Sequence, residues 1–76
     1  MANRMTQQSK ANIQSAVEAR LHETAGGITI ELVGQGGRRA FVNGPETILL
    51  YGNRDLARRA VKRINPEIRI TPAATI

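Results

Sequence analysis

Residues 53–66 read NRDLARRAVKRINP and predict an amphipathic helix. Asn53 is a good N-cap, Asp55 suits the positive end of the helix dipole, and Pro66 disfavours a helical residue before it. On a helical wheel the apolar residues occupy one arc of roughly 140°. They are Leu56, Ala57, Ala60, Val61 and Ile64. The basic residues lie opposite this arc or flank it, so the helix should bury one side and expose a basic one. They are Arg54, Arg58, Arg59, Lys62 and Arg63.

The positive charge of the chain is concentrated in this helix. Its net charge is +5 over 76 residues, and residues 53–63 alone contribute +4. Residues 1–27 contribute +1, and residues 28–52 and 64–76 contribute nothing. Nine of the eleven basic residues are arginine, the side chain that makes planar, bidentate contacts to phosphate and carboxylate. The distribution favours an acidic partner at this helix.

An ordinary solvated surface is the alternative interpretation, since cations near the end of a helix suit its dipole. Arg54 with Arg58, Arg58 with Lys62, and Arg59 with Arg63 are, however, like-charge pairs four residues apart. Each such pair weakens a helix by about 0.2–0.5 kcal/mol. Positive charge is therefore placed here at some cost to the helix.

The segments before this helix predict another helix and a three-stranded antiparallel meander. Apolar residues recur at helical spacing from Thr6 to about Glu23, and the AGG that follows is typical of a helix end. ITIELV (28–33) alternates in period two, as a half-buried strand does. RRAFVN (38–43) and ETILLY (46–51) are rich in residues that favour strands.

After the basic helix, EIRIT (67–71) predicts a fourth strand, which a right-handed crossover would lay parallel to the third. The fold class is then α+β in the order α-β-β-β-α-β, with two helices packed on one face of a short, mostly antiparallel sheet. We expect a single domain over residues 1–76, with residues 1–5 and 72–76 as frayed tails.

Composition limits the class of protein. Hydrophobic residues are 41% and charged residues 22% of the chain, as in folded globular domains. There is no cysteine, which fits a reducing compartment. The longest apolar runs, such as TILLY (47–51), are far shorter than the roughly 20 residues that a membrane span needs. These features predict a cytoplasmic protein that does not contact a membrane.

The predicted strands carry apolar residues on both sides of the sheet. One set would face the helices: Ile28, Ile30, Leu32, Ala40, Val42, Ile48 and Leu50. The other would then lie on the open side: Val33, Phe41, Leu49 and Tyr51. Such an apolar surface predicts a homodimer or a bound partner protein, unless one helix covers each side of the sheet.

The order α-β-β-β-α resembles that of the double-stranded-RNA-binding domain. NRDLAR (53–58) is similar to that family's basic helix start, with Arg54, Ala57 and Arg58 matching. Where the family has a histidine between its first two strands this chain has GQGG, and an additional strand follows the second helix. The resemblance is one of topology, and it implies contact with a nucleic-acid backbone.

Catalysis finds little support in the sequence. His22 is the only histidine, and its place on the predicted first helix makes it an exposed imidazole. The carboxylates have no paired spacing, and no metal motif, nucleotide motif or cofactor motif is present. GQGGRR (34–39) reads as a hairpin turn, from which Arg38 and Arg39 could extend a basic surface. We therefore expect no enzyme activity, no metal and no cofactor.

A basic binding module for nucleic acid explains the segregated charge best. Phe41 and Tyr51 are the only aromatic residues besides His22, so base stacking has little support and contact with phosphates should dominate. The alternative is a small protein–protein interaction domain, an adaptor or stoichiometric inhibitor that binds an acidic protein surface.

Overall fold

The protein, described here by a computed structural model over residues 4–72, is an α+β domain with a four-stranded mixed sheet. Its elements are α1 (Gln7–Ser15), β1 (Ala16–Thr24), β2 (Gly27–Gly34), β3 (Arg39–Phe41), α2 (Arg54–Ile64) and β4 (Arg69–Pro72). The predicted fold class and the predicted order of helices and strands are confirmed. Two of the predicted segments, however, have different structures from those expected.

The sheet has the strand order β3-β2-β1-β4. β1 pairs antiparallel with β2 from Ala16–Gly34 to Thr24–Gly27, and β2 pairs antiparallel with β3. β4 pairs parallel with β1, with Glu18 opposite Arg69. The predicted parallel pairing of the last strand is therefore present, but its partner is β1 and not segment 46–51.

The helix predicted from Thr6 to about Glu23 is wrong in its second half, because α1 ends at Ser15 and β1 begins at Ala16. Ala19 and Leu21 alternate with polar residues, which suits a strand that has one buried side. Pairing with β2 over the full length of β1 selects this alternation over the helical one.

The AGG segment is a hairpin turn and not the end of a helix. The Thr24 hydroxyl accepts a hydrogen bond from the Gly26 N–H and donates one to the Gly27 carbonyl, at 3.2 and 2.8 Å. Gly27 has a φ of 137°, and a Cβ there would lie 2.7 Å from the Tyr51 carbonyl oxygen. Glycine is required at this position by both the backbone angle and the close approach.

The prediction of a strand at residues 46–51 is also wrong, since this segment forms only isolated bridges, Asn43–Ile48 and Ile28–Tyr51. The side chains of this segment point to the opposite sides from those expected. Ile48 and Leu50 are exposed, whereas Leu49 and Tyr51 are buried. Side chains of the segment still alternate between the two sides, but the two bridges direct Leu49 and Tyr51 toward the core.

The core lies between the sheet and the two helices, which pack on the same face of the sheet as predicted. Its most completely buried apolar residues come from every layer: Ile13, Ala19, Ile30, Leu32, Val42, Ala57, Val61 and Ile68. At the start of β1 the register shifts between Ala16 and Glu18, so that Val17 is an extra, bulged residue. The bulge allows Ala16 and Ala19 both to face the core.

α2 agrees with its prediction except at Leu56, which was expected to face the core and is 49% exposed. The Asn53 side chain accepts a hydrogen bond from the Leu56 N–H at 2.9 Å, and the helix ends at Ile64, before Asn65 and Pro66. The Asn65 amide nitrogen also donates to the carbonyl oxygens of Ile13 and Ala16, at 2.9 and 3.2 Å. One side chain thus joins the C-terminal end of α2 to that of α1. The expected frayed tails, residues 1–5 and 72–76, lie mostly outside the part of the chain that the structure describes.

We expect Asn65→Ala to lower the free energy of unfolding by about 1–3 kcal/mol, because partly buried carbonyl oxygens lose their donor. Urea unfolding followed by circular dichroism would measure the change. Asn12→Ala is a matched control, since the Asn12 amide is exposed and accepts a hydrogen bond only from the neighbouring Gln8 side chain among the groups of residues 4–72. Equal destabilisation by both substitutions would contradict the joining role of Asn65.

Candidate functional site

The exposed side of α2 carries five basic residues, here called the α2 basic face: Arg54, Arg58, Arg59, Lys62 and Arg63. Ala57 and Val61 are fully buried on the opposite side of the helix. All four arginines are exposed, and Lys62 is half-buried. Burial of the apolar side therefore fixes the direction in which the arginines project.

The acidic neighbours of the α2 basic face only partly compensate its charge. Asp55 lies 3.3 Å from the Arg58 guanidinium and 2.8 Å from that of Arg59, so one carboxylate is shared by two arginines. Arg54 lies 3.6 Å from Glu23 at the end of β1. The three arginine side chains keep 45–69% of their surface exposed. Ion pairs with this exposure contribute only about 0.2–1 kcal/mol.

Lys62 has a structural contact that the sequence does not reveal. Its ammonium group donates hydrogen bonds to the carbonyl oxygens of Pro66 and Ile68, at 3.1 and 2.8 Å. These bonds hold the connection between α2 and β4. Arg63 makes no ion pair within residues 4–72. Within the α2 basic face, the four arginines are therefore the exposed cations, whereas Lys62 is engaged by the fold.

Arg38 and Arg39 do not extend the α2 basic face. They lie at the start of β3, at one edge of the sheet, whereas α2 packs over β1 and β2. The C-terminal end of α1 lies between the two groups, because it contacts Asn65 on one side and borders a groove with Arg38 on the other. The sequence could not place them, since their position depends on sheet order.

The side of the sheet that faces away from the helices is polar, and is called the open face here. It carries Glu18, Arg20, His22, Thr29, Glu31, Val33, Arg39, Phe41, Arg69 and Thr71. Of the predicted dimer surface, Val33 and Phe41 belong to the open face, but Leu49 and Tyr51 are buried in the core. The four residues therefore do not form one exposed apolar surface.

His22 is not the exposed imidazole that the helical prediction implied. It lies on the open face, its side chain 20% exposed, with Nε2 2.9 Å from a Glu31 carboxylate oxygen. The Phe41 ring lies 6.2 Å away between centroids, and the Arg39 guanidinium is 3.9 Å from the other Glu31 oxygen. Alternation of Glu18, Arg20 and His22 with apolar residues was the sequence signal for this face.

Glu18 is the centre of a second polar group on the open face. A hydrogen bond from Thr71 is the main cause that lowers the pKa of its carboxyl; burial opposes this shift, and the charges of Arg20 and Arg69 add to it. The Arg20 guanidinium lies 3.5 Å from this carboxylate. The contacts connect β1 to β4, so the polar side chains contribute to holding the edge strand.

Neither a metal centre nor a membrane-crossing helix is found in the part of the chain that the structure describes. Among residues 4–72, no three or more His, Asp or Glu side chains are grouped so that they could hold a metal ion. Both helices in this range are too short and too polar to cross a bilayer.

Comparisons of the chain with protein-family models, with curated proteins and with solved structures find no match. The resemblance of NRDLAR to the double-stranded-RNA-binding domain therefore stays a likeness of topology and of a few residues. Function has to be inferred from the surfaces of the molecule.

We expect Glu18→Gln to make stability less dependent on pH in the acid range. A carboxyl group whose pKa is lowered by folding stabilises the fold above its unfolded pKa, near 4.5, and loses this effect as pH falls through the folded value. Between about pH 7 and about pH 3 the free energy of unfolding should fall less for the variant than for the wild type. Urea titrations at each pH measure it.

Glu46→Gln is the control for this experiment, because Glu46 is exposed and makes no ion pair within residues 4–72. Its pH profile should match that of the wild type. Identical profiles for all three proteins would show that Glu18 does not stabilise the fold.

Proposed function

We propose that the protein is a non-catalytic binding module whose α2 basic face contacts the phosphate backbone of a nucleic acid. The observation that carries the proposal is the charge of one exposed helix face. Five cations and one carboxylate, Asp55, lie on an eleven-residue helix whose other side is buried. These residues give +4 of the net charge of +5.

Phosphate would compete well with the present partners of these arginines. Asp55 cannot neutralise Arg58 and Arg59 at once, and both guanidinium groups remain largely exposed. Arginine–phosphate contacts are charge-assisted and frequently bidentate, and they release counterions from the nucleic acid. Exchange of a weak surface ion pair for such a contact favours binding.

Contact with the backbone is favoured over reading of single-stranded bases. Recognition of single strands uses exposed aromatic rings, on which the bases stack. Tyr51 is buried, and Phe41 lies on the open face, on the other side of the sheet from α2. The expected target is therefore a duplex, bound with strong salt dependence and little sequence preference.

Arg59→Gln with Arg63→Gln should weaken binding to duplex DNA or RNA by about tenfold at about 50 mM salt, because two phosphate contacts are lost. The slope of log K against log salt should become shallower by about two units. Fluorescence anisotropy with labelled duplexes, at several salt concentrations, measures both quantities.

Arg38→Gln with Arg39→Gln is the matched control, since it removes the same charge from another part of the surface. It should leave most of the affinity and of the salt slope unchanged. Equal loss with both double variants would show that only net charge matters, and absence of binding by the wild type would remove the proposal.

A second candidate is an acidic protein surface, and the observation that favours it is the exposure of Leu56. This residue was expected to face the core, but it lies at the margin of the buried arc and is 49% exposed. It stands one turn from Arg59 on the helix surface. A leucine beside arginines is suited to a protein interface, which combines apolar and cationic side chains.

Leu56→Gln separates the two candidates. If the protein binds through phosphates, this variant should keep the wild-type affinity for duplexes and the wild-type salt slope, because no charge changes. A protein interface centred on Leu56 should lose affinity by about tenfold or more. The comparison uses anisotropy for duplexes and calorimetry for an acidic protein partner once one is in hand.

A further inference from the structure

The edge formed by β3 presents backbone groups that the sheet does not use. The Gly34 N–H donates to the Arg38 carbonyl at 2.7 Å, and the Val42 N–H donates to the Ile30 carbonyl at 3.0 Å. Between these bonds, Ala40 lies opposite Leu32. Because hydrogen-bonded residues alternate along an antiparallel pair, the N–H and C=O groups of Arg39 and Phe41 point away from β2.

These outward groups are available to a further strand. β3 is the last strand on its side of the sheet, and no side chain of residues 4–72 bonds to the backbone of Arg39 or Phe41. The open part of this edge ends after Phe41, because the Asn43 N–H donates to the Ser9 hydroxyl at 2.8 Å and the Asn43 carbonyl accepts from the Thr6 N–H at 3.0 Å. An open edge of this kind is a template for β-strand addition.

A groove of about 930 Å³ lies beside this edge, on the helix side of the sheet. It runs between the C-terminal end of α1, including Asn12 and Ser15, and the strand residues Leu32 and Ala40. The bulge at the start of β1 places Val17 in its wall, with 49% of that residue exposed. Alternate side chains of an added strand would thus meet a partly apolar surface.

The charge of the groove selects the occupant. Its charged lining residues are Arg38 and Arg39, and none of its lining residues is acidic. The Arg39 side chain belongs to the open face, where its guanidinium lies 3.9 Å from one Glu31 carboxylate oxygen, and the other Glu31 oxygen contacts His22. An occupant with carboxylate side chains would meet Arg38, which makes no ion pair within residues 4–72, and Arg39, whose side chain is still largely exposed beside Glu31.

We propose that β3 and this groove bind an extended, acidic segment of a partner protein, which adds a fifth strand to the sheet. A second copy of this chain fits less well, because pairing of two β3 edges would bring the arginines of both copies together. A nucleic acid also fits less well, since phosphates cannot donate to the outward carbonyl groups of the edge. The site is separate from the α2 basic face.

The test uses a peptide of about seven residues in which aspartate and valine alternate, added to isotope-labelled full-length protein to about 1 mM. Amide NMR signals of Arg39, Phe41 and the groove residues should shift. The same peptide with lysine in place of aspartate should cause no shift. Absence of shifts with the acidic peptide, or shifts confined to α2, would overturn the proposal.

Two variants at the edge separate backbone pairing from side-chain contact. Phe41→Pro removes the outward N–H, which an edge strand tolerates, whereas Phe41→Ala keeps it. Binding should be at least about fivefold weaker in the proline variant than in the alanine variant, as for the loss of one hydrogen bond. Equal affinities would overturn the strand addition.

The arginines provide a readout that does not depend on the folding of the proline variant. Arg38→Gln with Arg39→Gln should weaken the peptide by at least about fivefold, and Arg59→Gln with Arg63→Gln should not weaken it. The reverse result would overturn the proposal. Displacement of the peptide by a duplex would also overturn the proposal. A wild-type dimer, detected by light scattering, that Phe41→Pro converts to a monomer would do the same.

Discussion

The pairing of β1 with β2 is the constraint on which the rest of the structure depends. It runs from Ala16–Gly34 to the turn at Thr24–Gly27, and it supplies the two central strands of the sheet. β3 is added to one side and β4 to the other. The register places apolar residues of both strands toward the helices and their polar neighbours on the open face. The positions of α1, α2 and the groove follow from this arrangement.

The sequence predicts α2 well because its signals are local. A capping asparagine, an apolar arc and an Asn–Pro stop lie within fourteen residues, and all but Leu56 of the arc do in the structure what the pattern indicates. The segment from Ala16 to Thr24 contains two conflicting periods. Ile13, Val17 and Leu21 fit a helix, whereas Ala19 and Leu21 with polar neighbours fit a strand. Pairing with β2 decides between them, and single-sequence periodicity does not include that pairing.

The features of the candidate surfaces also fall into two groups, those set by local sequence and those set by contacts between distant parts of the chain. The arginines of α2 are placed by the helix itself, so their common exposure can be inferred from spacing. The location of Arg38 and Arg39 depends on strand order, the contacts of Lys62 depend on the path to β4, and the orientation of Tyr51 depends on its bridge with Ile28. The groove beside β3 depends on where α1 ends. Each of these features arises from contacts between distant parts of the chain.

The parallel pairing of β4 with β1 has a consequence for the folding of the chain. β1 and β2 are joined by a tight turn, so their contacts close a short loop, whereas Glu18 and Arg69 are separated by most of the described sequence. Closing the longer loop costs more chain entropy, and such contacts form more slowly. We therefore expect the central hairpin to form early in folding and β4 to dock late, after α2 has bridged the distance between them.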